Sequence, residues 1–172
     1  MNDSVFPSIN IRAMEPEDLD MLYKIENDPE LWGVSNTNVP YSRYTLHDYI
    51  ANSKNDIYAD QQVRLMIETP SGSIVGMVDI VNFDPRHRRA EVGIVIVKQY
   101  REKGYAHAAL QKLHLYAIRM LHLHQLYAIV ELTNHCAISL FTSLGYLNIA
   151  TIPQWLYDGT SYNDAVLMQK IL

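Results

Sequence analysis

The chain has 172 residues, 48% hydrophobic and 19% charged, with seven glycines and seven prolines. That is enough apolar material for one packed core and too little bias for disorder, collagen-like repeats or a coiled coil. A formal charge of −5, from 14 basic and 19 acidic side chains, argues against a surface built to neutralise nucleic-acid phosphates and favours a cationic substrate.

The lone cysteine, Cys136, excludes an internal disulfide and a cysteine zinc cluster, and fits a reducing compartment. Met1-Asn2-Asp3-Ser4 lacks the basic-then-apolar pattern of a signal peptide, and Ile94-Val95-Ile96-Val97 is too short to span a bilayer. The expectation is a cytoplasmic protein, a single domain over residues 1–172, with neither a nucleic-acid nor a membrane partner.

Ser8 to Arg12 reads as a short strand. Glu15-Pro16-Glu17-Asp18 then suits a helix start, with the proline in the first turn and carboxylates near the exposed N–H groups. Leu19, Leu22 and Ile25 form the apolar stripe of a helix that reaches about Asn27, and Asp28-Pro29 marks its exit. Leu31 to Arg43, which contains Pro40, reads as a loop that could lie over a substrate cleft; Tyr44 to Asn52 resumes a helical pattern. Val63 to Glu68 and Ile74 to Val81 are strands joined by the turn Pro70-Ser71-Gly72-Ser73, and Ala90 to Val97 is a third, giving three consecutive antiparallel strands.

From Gly104, apolar residues recur through Ala106, Ala109, Leu110, Leu113, Ala117 and Leu121 along one helical face. Leu126 to Leu132 is a further strand. Asn134 caps a helix from about His135 to Leu144 that stops at Gly145. Tyr146 to Tyr157 and Tyr162 to Ile171, around Asp158-Gly159, read as a closing hairpin. Strands before, between and after the helices predict an α/β sheet of mixed direction.

The most informative stretch is Val95 to Ala106, an apolar strand passing through a short loop into a helix that opens with glycine and alanine. Small residues let a ligand approach the backbone, and the free N–H groups of a helix start suit a phosphate or pyrophosphate. An ordinary strand-loop-helix junction would look the same on local physics. The stretch has neither the Gly-Lys-Ser/Thr of a Walker loop nor the glycine triplet of a dinucleotide fold.

Arg101-Glu102-Lys103-Gly104-Tyr105-Ala106 resembles the Arg/Gln-x-x-Gly-x-Gly/Ala signature of the GNAT superfamily of N-acetyltransferases. A second stretch, Asn134 to Tyr146, resembles the family's later motif, in which Asn begins a helix that ends in Leu-Gly-Phe/Tyr. His87-Arg88-Arg89-Ala90-Glu91 and Asn163-Asp164-Ala165-Val166-Leu167-Met168 are most similar to the subgroup of polyamine (spermidine/spermine) and ribosomal-protein acetyltransferases. The resemblance implies a GNAT-like fold, a mixed, mostly antiparallel sheet of about seven strands flanked by about four helices.

It further implies acetyl-CoA as co-substrate and no metal. The coenzyme would run along Ile94, Val95 and Ile96, with its pyrophosphate among the N–H groups of Arg101, Glu102, Lys103, Gly104, Tyr105 and Ala106. Asn134 would contact the pantetheine arm, Phe141 would pack near the coenzyme, and the acyl group would lodge between two splayed strands. A neutral amine would then attack the thioester carbonyl directly, with backbone donors on the strand stabilising the oxyanion as the thiolate leaves.

An amine near neutral pH is mostly protonated and needs a proton acceptor. Glu91, at the start of the cofactor strand, is the first candidate; the alternative is an exposed carboxylate paired with Arg88 or Arg89. Asp79 and Glu131 are weaker candidates, better read as cross-strand ion pairs. In many family members a tyrosine on the second-motif helix protonates the thiolate, but here that position is Phe141, which has no hydroxyl. Tyr146 or Ser139 could substitute, water could serve, the thiolate could leave unprotonated, or the chain could be a non-catalytic acyl-CoA-binding regulatory protein.

Asn134 reads equally as a simple helix cap, and Cys136 as a buried packing group rather than a nucleophile. His107 and His114 share a helical face but lie two turns apart, about 10 Å and too far for one ion. Tyr41, Tyr44, Tyr49 and Tyr58 could line an acceptor pocket. Relatives that act on polyamines carry acidic residues after the first helix, whereas Gly33 to Pro40 is neutral here, so a protein N-terminus remains beside a polyamine as acceptor. The closing hairpin and exposed strand edges permit a homo-oligomer.

Overall fold

The computed structural model describes residues 6–31, 39–54 and 56–172. Among the described residues, seven strands form one sheet in the order β1-β2-β3-β4-β5-β7-β6. They are β1 (Asn10–Ala13), β2 (Val63–Glu68), β3 (Ile74–Asp84), β4 (Arg89–Ile96), β5 (Gln125–Glu131), β6 (Leu147–Tyr157) and β7 (Tyr162–Ile171). Neighbours are antiparallel except for β4 and β5. The helices are α1 (Leu19–Glu26), α2 (Arg43–Asn52), α3 (Ile57–Asp60), α4 (Tyr105–Arg119) and α5 (His135–Ser143). None of the described helices is long and apolar enough to cross a membrane.

The strand and helix pattern follows the sequence reading, with three differences. The helix expected from Glu15 starts as a 3-10 turn over Pro16–Asp18 before α1 begins. The single turn α3, capped when the Asp56 side chain accepts from Tyr58 N–H, is too short to show a period. Strand β3 runs past Val81 to Asp84, because a bulge between Val81 and Asp84 keeps it paired with β4.

Leu65, Met66 and Ile67 are buried in succession on β2 because both faces of the sheet are covered there, which replaces alternation by a continuous apolar run. Leu65 and Ile67 face the larger core under α4 and α5, and Met66 faces a smaller one under α1 and α2. On α4, Ala109, Leu110, Leu113 and Ala117 are fully enclosed, a stripe at helical spacing that presses the helix onto the sheet. Most of β6, by contrast, is exposed, including Leu147, Ile149 and Trp155.

Candidate functional site

The parallel pairing of β4 with β5 is brief: Arg89 with Gln125, Ala90 with Leu126, and Glu91 with Tyr127. Beyond that pair β4 continues to Ile96 and β5 to Glu131, so the two strands part and the sheet opens into a fork. Val97 N–H donates to Val75 C=O on the β3 side at 2.9 Å. Antiparallel alternation therefore turns the peptide groups of Ile94 and Ile96 toward the fork. Ile96 C=O is taken there by Arg101 Nε at 3.0 Å. The Ile94 N–H and C=O line an edge that β5 has left, which is a backbone surface able to pair with an extended ligand.

The loop after β4 coils through a 3-10 turn, Lys98–Tyr100, and two left-handed residues, Glu102 at φ +60° and Gly104 at φ +82°. A side chain at Gly104 would be strained twice over. Besides its φ, a Cβ there would come within 3.0 Å of Phe6 Cδ1 and 3.1 Å of Pro7 Cδ. The first backbone bond of α4 runs from Ala108 N–H to Gly104 C=O, so the N–H groups of Tyr105, Ala106 and His107 precede any intrahelical acceptor. Among the described residues, no backbone carbonyl accepts from Glu102 through His107. These peptide groups, beside the side chains of Lys98, Arg101 and Lys103, fit a diphosphate.

Glu91 sits at the crotch of the fork. Its Oε2 accepts from Asn82 Nδ2 of β3 at 2.8 Å, not from Arg88 or Arg89, the partners of the alternative reading. Arg88 Nε donates to His122 C=O at 2.6 Å and Arg89 lies 3.4 Å from Asp84. Asp79 is the cross-strand partner expected of it, gripped by Arg64 Nε and Nη2 at 2.8 and 2.9 Å. Arg64 also binds Glu26 of α1. Burial alone would lower the guanidinium pKa, but Asp79 and Glu26 outweigh that and hold it charged. Glu131 accepts from Thr133 Oγ1 at 2.6 Å and has no cross-strand ion pair among the described residues.

Phe141 of α5 is buried, with its ring edge-on to Tyr146 at 4.9 Å. The Tyr146 hydroxyl, a candidate replacement acid, is also enclosed and lies 3.0 Å from His114 Nε2. Burial raises the phenol's pKa. The His114 imidazole is pushed down to about 4, first by burial and then by the charges of Lys170 and His107. The pair is a hydrogen bond enclosed in the core. Ser139 lies exposed on α5. His107 instead stacks on Phe6, ring centroids 3.7 Å apart, a contact that sequence spacing could not reveal.

Asn134 caps α5 by accepting from Ala137 N–H at 3.1 Å, which leaves its Nδ2 without a protein acceptor among the described residues. Cys136 is exposed, not the packing group its residue type favours. Of the four tyrosines proposed for an acceptor pocket, Tyr49 lines a cleft of about 250 Å³ between α2 and the start of β2, beside Asp48, Asp60 and Arg64, and Tyr58 lines a second, of about 210 Å³, with Phe83, Arg88 and Leu121. Tyr44 and Tyr58 are exposed, and Tyr41 packs half-buried against the smaller core. The neutral loop falls largely on residues 33–38, which lie outside the described residues.

Residues 8–147 match the family described as "Acetyltransferase (GNAT) domain". The chain is 29% identical to the spermidine N(1)-acetyltransferase of Escherichia coli (strain K12) over 167 residues, 94% of this chain and 84% of that one. It is 30% identical to the putative ribosomal N-acetyltransferase of Bacillus subtilis (strain 168) over 165 residues, 92% and 88% of the two chains. The crystal structure of spermidine N-acetyltransferase from Vibrio cholerae in complex with CoA and spermine superposes with a TM-score of 0.83 at 22% identity, covering 95% of both chains. Another structure of that enzyme, described as dodecameric, superposes at 0.80 with 23% identity, covering 95% of this chain and 93% of that one. At these identities the structural likeness speaks for the fold.

Proposed function

Because this chain belongs to the GNAT acetyltransferase family, we propose that it transfers the acetyl group of acetyl-CoA to a primary amine by direct attack, with polyamines as the acceptor class. The observation that carries this reading is the fork. Ile94 turns free peptide groups into the gap left by β5, directly upstream of a loop whose N–H groups have no backbone acceptor among the described residues. Acetyl-CoA brings an activated thioester. Ile94, Val95 and Ile96 would hold its arm as an added strand, Asn134 Nδ2 would reach it from α5, and Arg101, Glu102, Lys103, Gly104, Tyr105 and Ala106 would hold its pyrophosphate.

Ile94 N–H is the donor available to a carbonyl oxygen in the fork, where excluded water would make it count for more than in solution. Glu91 takes the ammonium proton and leaves a neutral nitrogen. The face of the sheet that carries Glu91 also carries Asp79 and, beyond it, the cleft with Asp48 and Asp60, an environment suited to a multiply charged amine. This supports a polyamine over a protein N-terminus, as do the two spermidine enzymes. Self-association, for which the exposed β6 edge offers a surface, and a cytoplasmic setting belong to the same proposal.

The test has two stages. CoA should raise the apparent melting temperature, since it binds only the folded chain, and spermidine should release free thiol from acetyl-CoA where peptide N-termini do not. Failure of CoA to stabilise the protein would defeat the reading.

Phe141 favours a second reading, a chain that binds acyl-CoA without turning it over, because Phe141 has no hydroxyl to protonate the leaving sulfur and Tyr146 is enclosed in the core. CoA would then stabilise while no amine released thiol. Under the first reading the thiolate takes its proton from solvent, and Phe141→Tyr raises turnover, an effect visible in the pH profile of thiol release.

A further inference from the structure

Asn82 has no place in the chemistry described so far, yet its geometry is unusual. It lies in the bulge of β3 between Val81 and Asp84 with φ +50°. This is the left-handed region, which asparagine tolerates better than other residues with a side chain. A bulge adds a residue to one strand and re-aims its side chain. Here the re-aimed group is a carboxamide whose Nδ2 meets Glu91 Oε2 at 2.8 Å. The same carboxamide faces Tyr127, the residue across from Glu91 in the last parallel pair before the fork.

Resting on the reading of Glu91 as proton acceptor, we propose that Asn82 is a positioning residue: from the bulge it fixes the Glu91 carboxylate at the mouth of the fork through one oxygen and leaves the other for the incoming amine. Three features favour this over a chance surface contact. Glu91 Oε1 has no protein donor among the described residues, so the anchoring is one-sided. The anchor is a neutral amide although Arg88 and Arg89 are close in sequence, and both are engaged elsewhere. A guanidinium there would favour the charged carboxylate and weaken it as a base. Finally, the backbone conformation that aims the amide is costly for most residues, and such conformations persist where the surroundings require them.

Among the described residues, the charged groups that act on Tyr127 of β5 at this corner are Glu91 and Arg89 of β4 and Asp84 of β3. Burial raises the Tyr127 phenol first, and the Glu91 charge raises it further. Tyr127 is thus a neutral hydroxyl beside the carboxylate, and it closes the corner from the β5 side.

Asn82→Gly is the decisive variant, because glycine adopts φ +50° freely and keeps the bulge while removing the amide. With spermidine as acceptor, kcat should fall about tenfold, while KM for acetyl-CoA and the melting temperature stay at the wild-type values. In a Glu91→Gln background the same substitution should have no further effect, since a residue that acts only through Glu91 loses its effect when Glu91 is gone. Crystal structures of the wild type and Asn82→Gly supply a readout independent of turnover: the Glu91 carboxylate should leave its wild-type position while the β3 backbone stays put. Full kcat in Asn82→Gly, additive loss in the double variant, or an unmoved carboxylate would each overturn the role of Asn82. Glu91→Gln turning over at the wild-type rate would instead overturn the reading of Glu91 itself.

Discussion

Beneath α4 and α5 the sheet is covered by a continuous apolar core, from Ile9 and Ile67 through Val78, Ile80, Leu110 and Leu113 to Val166 and Met168. Beneath α1 and α2 the described buried hydrophobics are Leu22, Ile25, Leu46, Met66 and Met77, and part of that interface is the network joining Arg64 to Asp79 and Glu26. The apolar face gains stability from burial that is insensitive to direction. The polar face places charge at fixed points, and only that face carries Glu91 and the acidic cleft. A cationic acceptor can be recognised where carboxylates are held in place, and the other side serves as the platform that holds them.

Substitutions on the two faces should separate these roles. The largest effect is expected on the apolar face: Leu113→Ala, at a fully buried site, should cost about 4 kcal/mol in urea unfolding and leave KM for the amine unchanged. On the polar face, Arg64→Leu strands Asp79 and should cost about 3 kcal/mol, whereas Arg64→Leu with Asp79→Leu should recover most of that loss. If the single and double variants are equally unstable, the network contributes packing and not charge balance.

The His114–Tyr146 pair gives the apolar face its own dependence on pH. The folded-state imidazole titrates near 4, below the ordinary value of about 6.5 in an unfolded chain. The unfolded chain therefore binds more protons between these values. The contribution is fully present above about pH 6.5 and is lost as the pH falls toward 4, so unfolding at pH 5 should be easier than at pH 7 by about 2 kcal/mol. His114→Gln should flatten that slope. An unchanged slope would trace the acid sensitivity to other groups. The smallest effect is expected at Asn134→Ala, where loss of the cap on α5 should cost about 1 kcal/mol; a CoA affinity that falls beyond what stability accounts for would mark Nδ2 as a ligand contact.

Most elements were legible because their signals are local. The apolar period of Ala109, Leu110, Leu113 and Ala117 marks α4, Asn134 and Gly145 bracket α5, and Pro70-Ser71-Gly72-Ser73 marks a turn between apolar runs. The loop at Gly104 was legible for a different reason, since a glycine in a fixed place after an apolar strand is a chemical pattern as well as a conformational one. Partners distant in the chain were not. For Glu91 the sequence offers only its neighbours Arg88 or Arg89 as the alternative to a role as proton acceptor, and its actual partner is reached through a bulge on another strand. Tyr146 was offered as an acid because nothing in its own segment shows that His114, 32 residues earlier, holds its hydroxyl inside the core.

By itself, then, the order of residues determined where strands and helices form, which faces are apolar, and which loop could take a diphosphate, because each depends on residues within a turn or two of one another. The tertiary structure alone decided that β4 and β5 part after Glu91, that Arg64 neutralises two carboxylates from different elements, and that Asn82 and Glu91 meet. Those outcomes depend on which strands become neighbours and in what register, and a shift of a single residue would turn every side chain on a strand to the opposite face.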